Sequence, residues 1–122
     1  MTTLIIVAHG SKLESSNMEV IELVKNIKKE NNSLHITYAF LELSKPSLLE
    51  EIEEQIKTGA KEIKVFPYFL AAGKHVKSDI PNIIEQSRVH YPNIKFELLP
   101  HLGICKGISS LILSNILDKK DI

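Results

Sequence analysis

Four short apolar runs, each followed by a segment whose apolar residues recur at helical spacing, constrain this chain more than anything else in it. The runs are Leu4-Ile5-Ile6-Val7-Ala8, residues 34–41, residues 64–70 and residues 94–99. Rich in β-branched and aromatic side chains and bounded by charge or turn residues, they read as strands. The second carries Ile36, Tyr38 and Phe40 at alternate positions. Val20, Leu23, Val24 and Ile27 stripe a first helix, capped by Ser15 or Ser16 and ending near Asn31-Asn32. Leu48, Leu49, Ile52 and Ile56 stripe a second, opened by Ser44-Lys45-Pro46-Ser47 with Pro46 in its first turn and closed by Gly59. A third starts at Ser78, with Asp79 favourable to the helix dipole, Pro81 tolerated early, and Ile80, Ile83 and Ile84 facing inward. The last helix, about residues 104–117, is expected to bury Ile108, Leu111 and Ile112 before a charged tail over 118–121.

Strand and helix thus alternate four times, which argues for a parallel sheet covered by helices on both faces through right-handed crossovers. The expected class is α/β: one domain, residues 1–122, built on a four-stranded parallel sheet in a flavodoxin-like three-layer sandwich. A chain of 122 residues suits one core and not two. Fifteen basic and fifteen acidic residues cancel, so no long-range field draws nucleic acid or an anionic membrane. Cys105, the single cysteine, excludes an internal disulfide and reads as a small core residue on the last helix. The amino terminus runs almost directly into a strand with no signal-peptide pattern, and no apolar run reaches the ~20 residues of a membrane span. A soluble, cytoplasmic protein is expected.

In open parallel sheets ligands bind outside the carboxyl ends of the strands. His9, Glu42, His75 and His101 each follow a different strand there. Two imidazoles and a carboxylate suit a borderline divalent transition metal, and the lack of nearby cysteines favours an open site over a closed structural zinc. His101 reads equally as part of an ordinary turn, while His35 and His90 read as surface or capping residues. Ala71, Ala72 and Gly73 let the backbone approach a ligand closely, Gly73 with dihedrals closed to other residues. Other chemistries fail specific tests. The loop His9-Gly10-Ser11-Lys12 matches neither a Walker phosphate loop nor a dinucleotide fingerprint, and no Gly-x-Ser-x-Gly elbow surrounds Ser11. Ala8 stands where a phosphohistidine enzyme has a phosphate-clamping arginine.

Together, three stretches resemble the short sirohydrochlorin chelatases, class II chelatases that insert cobalt, nickel or iron into a tetrapyrrole. They are Leu4-Ile5-Ile6-Val7-Ala8-His9-Gly10-Ser11; Ala39-Phe40-Leu41-Glu42 followed by Lys45-Pro46; and Pro67-Tyr68-Phe69-Leu70-Ala71-Ala72-Gly73-Lys74-His75 with Asp79-Ile80-Pro81 behind. The resemblance implies a chelatase-like fold in which His9 and His75 handle the metal, His9 accepts protons and Glu42 stands near the site. It places Lys45 and the loop Leu70, Ala71, Ala72, Gly73, Lys74, His75 against the tetrapyrrole. It implies a symmetric homodimer, open to further pairing as a dimer of dimers, with sirohydrochlorin and a divalent metal as partners and no nucleic acid or membrane. No histidine-rich run is present, so metal storage is not expected.

The expected activity is insertion of Co2+ or Ni2+ into sirohydrochlorin, toward cobalamin or a nickel tetrapyrrole, with no ATP and no cofactor beyond the substrate metal (Co2+, Ni2+ or Fe2+). The alternatives are a ferrochelatase for sirohaem, a non-catalytic carrier of tetrapyrrole or metal, and a flavodoxin-like nucleotide module, the last disfavoured by the lack of a Ser/Thr/Gly-rich phosphate loop.

Overall fold

Residues 1–117 are described by a computed structural model. The strands β1 (Thr2–Ala8), β2 (His35–Phe40), β3 (Glu62–Pro67) and β4 (Lys95–Leu98) form one parallel sheet in the order β2-β1-β3-β4. β1 is central, with Ile5 paired to Thr37 on one side and Val65 on the other. Its consecutive residues Ile5, Ile6 and Val7 are all buried, as an unbroken apolar run requires when both faces are covered. The chain leaves β1 for β2 on one flank, then returns for β3 on the other. The strand order therefore reverses between β1 and β3, and a crevice opens at their carboxyl ends.

The helices α1 (Glu14–Glu30), α2 (Leu48–Lys57), α3 (Ile80–His90) and α4 (Ile108–Leu117) complete three layers. Leu48 and Ile52 of α2 and Ile80 and Ile84 of α3 pack with Ile5, Val7 and Val65 into the main core. Each such side chain contributes about 1.5–3 kcal/mol by leaving water. Val24 of α1 packs on the opposite face against Ile6 and Ile36. On that face Leu111 of α4 meets Leu23 and Ile27 of α1 around an apolar depression of about 390 Å3.

Several element ends differ from their expected places. α1 starts at Glu14 with no side-chain cap, so Ser15 and Ser16 lie inside its first turn. Its entry is fixed instead by buried Asn17, whose amide accepts from the Ser11 N–H (3.0 Å) and donates to the Ser11 carbonyl (2.8 Å). α2 starts after Ser47, which forms a capping box with Glu50, so Pro46 precedes the helix. Leu49 is exposed, and Gln55 is buried on this helix through hydrogen bonds with His35 and Glu51. β3 stops at Pro67, and Phe69 N–H turns back to the Pro67 carbonyl at 3.0 Å. α3 is entered through a π turn, His75–Asp79, so Ser78 caps nothing.

The largest correction concerns the last helix. It begins at Ile108, after a 3₁₀ turn at Leu102–Ile104, and none of its residues is fully buried. Among the described residues Leu111 and Ile112 are each 58% exposed, Leu111 only edging the depression beside α1. Cys105 sits between the 3₁₀ turn and α4, half-buried, its thiol 3.4 Å from the His101 carbonyl, and is not a core residue. The charged tail lies outside the described residues. Among those described, no helix is long and apolar enough to cross a membrane.

Candidate metal centre

β1 ends at Ala8, and two backbone bonds carry its pairing with the β2 side past the strand ends. Leu41 N–H donates to the Ala8 carbonyl and Glu42 N–H to the His9 carbonyl, both at 3.0 Å. The two chains run so close that a Cβ on Gly10 would lie 1.8 Å from the Glu42 carbonyl oxygen. Gly10 also has φ +96°, where an L side chain is strained. Only glycine lets the loop after β1 lie against the loop after β2, and that contact sets Glu42 beside His9. A bond from Phe40 N–H to the Pro46 carbonyl (2.8 Å) closes the second loop around Glu42 and Lys45.

His9 Nδ1 lies 2.9 Å from the Gly10 carbonyl. A carbonyl only accepts, so Nδ1 carries the hydrogen and Nε2 is bare in the neutral ring. That Nε2 stands 3.3 Å from Glu42 Oε2, with the two side chains 48% and 50% exposed. A bare nitrogen and a carboxylate oxygen repel at this distance, and a proton or a metal cation between them turns repulsion into attraction.

His75 opens the π turn with its ring centroid 4.8 Å from that of His9. Its Nδ1 donates to Asp79 Oδ2 at 2.6 Å, which leaves Nε2 for an ion. One donor atom each from His9, Glu42 and His75 lies within 4.8 Å of the other two. Two donors about 2.1 Å from one ion are separated by at most about 4.2 Å, so small rotations of the side chains close the set. Two imidazole nitrogens, one carboxylate and open remaining positions suit a late first-row divalent ion that arrives hydrated and leaves again.

Lys45 and Glu42 line one depression of about 420 Å3. Lys45 is not part of the metal cluster. Its side chain is 87% exposed, with Nζ 3.6 Å from Glu50 Oε2. The Ser47 backbone N–H and then the Lys45 charge hold the Glu50 carboxyl below its ordinary 4.5.

Leu70, Ala71, Ala72, Gly73 and Lys74 all lie exposed between β3 and the π turn. Gly73 has neither a positive φ nor a neighbour that a Cβ would meet, so the expected need for glycine there is not found. The close approach is instead at Gly103, where a Cβ would lie 1.8 Å from the Leu70 carbonyl oxygen. Gly103 N–H donates to the Phe69 carbonyl at 3.1 Å, tying the loop after β4 under the loop after β3.

His101 follows β4 but is 8% exposed and stands outside the metal cluster. His35, at the opposite end of the sheet, donates to Gln55 (2.8 Å), and His90 ends α3 on the surface. Sequence reasoning missed Asn17, which holds the loop carrying Ser11, and gave Asp79 only a dipole role. The spacing His75-x-x-x-Asp79 was the available signal for the second.

The chain is thus a parallel α/β protein with two imidazoles and a carboxylate gathered at an open switch point, a set of donors that could hold a divalent metal. The family model described as CbiX matches residues 3–119, and the chain belongs to the CbiX family. It is 37% identical over 84 residues to the sirohydrochlorin cobaltochelatase of Methanococcus maripaludis, covering 69% of this chain and 58% of that one. It is 32% identical over 100 residues to the chloroplastic sirohydrochlorin ferrochelatase of Arabidopsis thaliana, covering 82% and 44%. The sirohydrochlorin chelatase SirB from Bacillus subtilis subspecies spizizenii, solved in complex with cobalt, superposes with a TM-score of 0.82 at 26% identity over 96% of this chain and 50% of SirB. The chain thus spans about half the length of these three relatives.

Proposed function

We propose that this chain inserts a divalent metal, Co2+ or Ni2+, into sirohydrochlorin. The convergence of His9, Glu42 and His75 at one open edge carries the reading. Metal insertion strips water from the ion and removes two pyrrole protons, and imidazole suits both tasks. His9 and His75 hold the partly dehydrated ion beside the macrocycle. As the ion passes to the ring, His9 Nε2 becomes bare again next to Glu42 and accepts the two pyrrole protons in turn, each stabilised as imidazolium by Glu42 and passed through it to solvent before the next is taken. Lys45 pairs a substrate carboxylate, and the exposed amides of residues 70–74 bind others. The net exchange of two protons for one divalent ion needs no nucleotide and no cofactor beyond the substrate metal.

The ferrochelatase name of the Arabidopsis relative keeps Fe2+ as a second reading, since ligand type does not separate these ions. A homodimer is part of the proposal. Its support is the apolar side of α4, where Leu111, Ile112, Leu113 and Leu117 are each more than half exposed among the described residues, and the match to half of SirB. Light scattering checks it: a mass equal to one 13.8 kDa chain removes the dimer. Cys105, alone in the sequence, suits the reducing cytoplasm, which cell fractionation tests.

The deciding experiment follows sirohydrochlorin absorbance with Co2+, Ni2+ and Fe2+ in parallel under multiple turnover. His9→Ala and His75→Ala are each expected to lower insertion about 100-fold or more. Undiminished rates remove both residues from the site, and a reaction that stops at one equivalent identifies a carrier.

A further inference from the structure

We propose that Asp79 is a positioning residue that locks His75 in the tautomer able to hold the metal. The proposal deepens the reading above and rests on it for the role of His75 as a ligand. A neutral imidazole free in water favours hydrogen on Nε2, which would block the nitrogen an ion needs. At His75 the Asp79 carboxylate accepts from Nδ1 at 2.6 Å, shorter than the 2.7–2.9 Å usual for charge-assisted N–H···O bonds. The acceptor forces hydrogen onto Nδ1 and leaves the Nε2 lone pair bare.

The carboxylate is held in place from behind. Ile80, the next residue, is fully buried in the main core with Ile84, and Pro81 fixes the following φ. Both partners are partly withdrawn from water, His75 at 27% and Asp79 at 33% side-chain exposure. Asp79 also lines an open depression of about 320 Å3 with Glu42, His75 and Asn82, so its carboxylate is on the side of the site.

A second observation points the same way. His9 reaches the same tautomer by an unrelated device, a bond from Nδ1 to the Gly10 carbonyl at 2.9 Å. Two rings from different strands thus share one protonation pattern, one fixed by backbone and one by Asp79. That coincidence is expected if both Nε2 atoms serve one ion, and has no role in packing.

The test uses the full chain labelled with ¹⁵N-histidine, without metal, at about pH 8, where an unperturbed imidazole is neutral. In the wild type, His75 is expected to show hydrogen on Nδ1. Asp79→Ala moves it toward Nε2, as does Asp79→Asn, whose amide N–H can donate to Nδ1, whereas Asp79→Glu, which keeps an acceptor-only carboxylate, retains hydrogen on Nδ1. Co2+ titration of the same samples then shows about 10- to 100-fold weaker binding for Asp79→Ala and a smaller loss for Asp79→Glu. An unchanged His75 tautomer in Asp79→Ala overturns the positioning role whatever the enzyme does. So does a changed tautomer with undiminished Co2+ affinity when His75→Ala lowers that affinity. Co2+ affinity untouched by His75→Ala itself overturns the ligand reading instead, so the two failures are told apart. Should Asp79→Ala not fold, Asp79→Leu, which has neither donor nor acceptor, takes its place, and a His75 that keeps hydrogen on Nδ1 there overturns the proposal on its own.

Discussion

The two halves of the rim are built in opposite ways. On the β1–β2 side the backbone of one loop lies directly on the other: Gly10 sits where a Cβ would be 1.8 Å from the Glu42 carbonyl, and ladder bonds continue past the strand ends. On the β3 side, residues 70–74 stand exposed, tied down chiefly at their base by Gly103. Close backbone packing is concentrated where His9 Nε2 and Glu42 Oε2 stand 3.3 Å apart, and the exposed backbone lies where the proposed function seats the substrate's carboxylates. Small residues mark both halves, but on the second side the one whose smallness serves packing is Gly103, beneath the loop, and not Gly73 within it.

Substitutions sharpen that contrast. Gly10→Ala is expected to have the largest effect, because the backbone strain alone costs about 1–3 kcal/mol and the clash with Glu42 comes on top. It should lower both the melting temperature and the Co2+ affinity, and a variant with normal metal binding would break the proposed link between loop packing and site geometry. Lys45→Glu comes next. It reverses an exposed charge, so a rise in KM for sirohydrochlorin of about tenfold with little change in kcat is expected. An unchanged KM takes Lys45 out of the substrate site. Gly73→Ala should do least, within about 0.5 kcal/mol of wild-type stability, since no neighbour and no unusual φ opposes a methyl group there. A loss like that of Gly10→Ala would show that the loop after β3 is as tightly constrained as the first pair.

The sheet was legible in the sequence because period and alternation decide it locally. Ile5-Ile6-Val7 has no polar face to offer, and the helical stripes of Val20 with Val24 and Ile80 with Ile84 are found buried as their spacing requires. Of the candidate site only the shared rim was legible, since parallel strands carry His9, Glu42, His75 and His101 to one end; that β1 and β3 lie side by side is a matter of strand order, which periodicity does not reveal. What failed depends on what lies opposite. Leu111 and Ile112 repeat at helical spacing as a buried stripe would, yet spacing says nothing about whether another surface is there to cover them. Leu49 failed for a similar reason, because α2 spends its next buried position on the polar Gln55, whose partners His35 and Glu51 no periodicity reveals. At the third helix, Ser78-Asp79-Ile80-Pro81 carries ordinary start signals, but the turn begins earlier, where Lys77 N–H finds the Gly73 carbonyl at 3.0 Å. Read as a dipole partner, Asp79 could not be recognised as the acceptor for a histidine four residues before it.

The central claim is that His9, His75 and Glu42 grip one ion together. X-ray absorption at the cobalt edge of the full chain loaded with one equivalent of Co2+ tests it most directly. The account predicts a shell of nitrogen and oxygen donors at about 2.0–2.2 Å with the outer-shell scattering of two imidazoles, reduced to one in either His9→Ala or His75→Ala. A cobalt shell without imidazole, or one identical in the wild type and both variants, would contradict it.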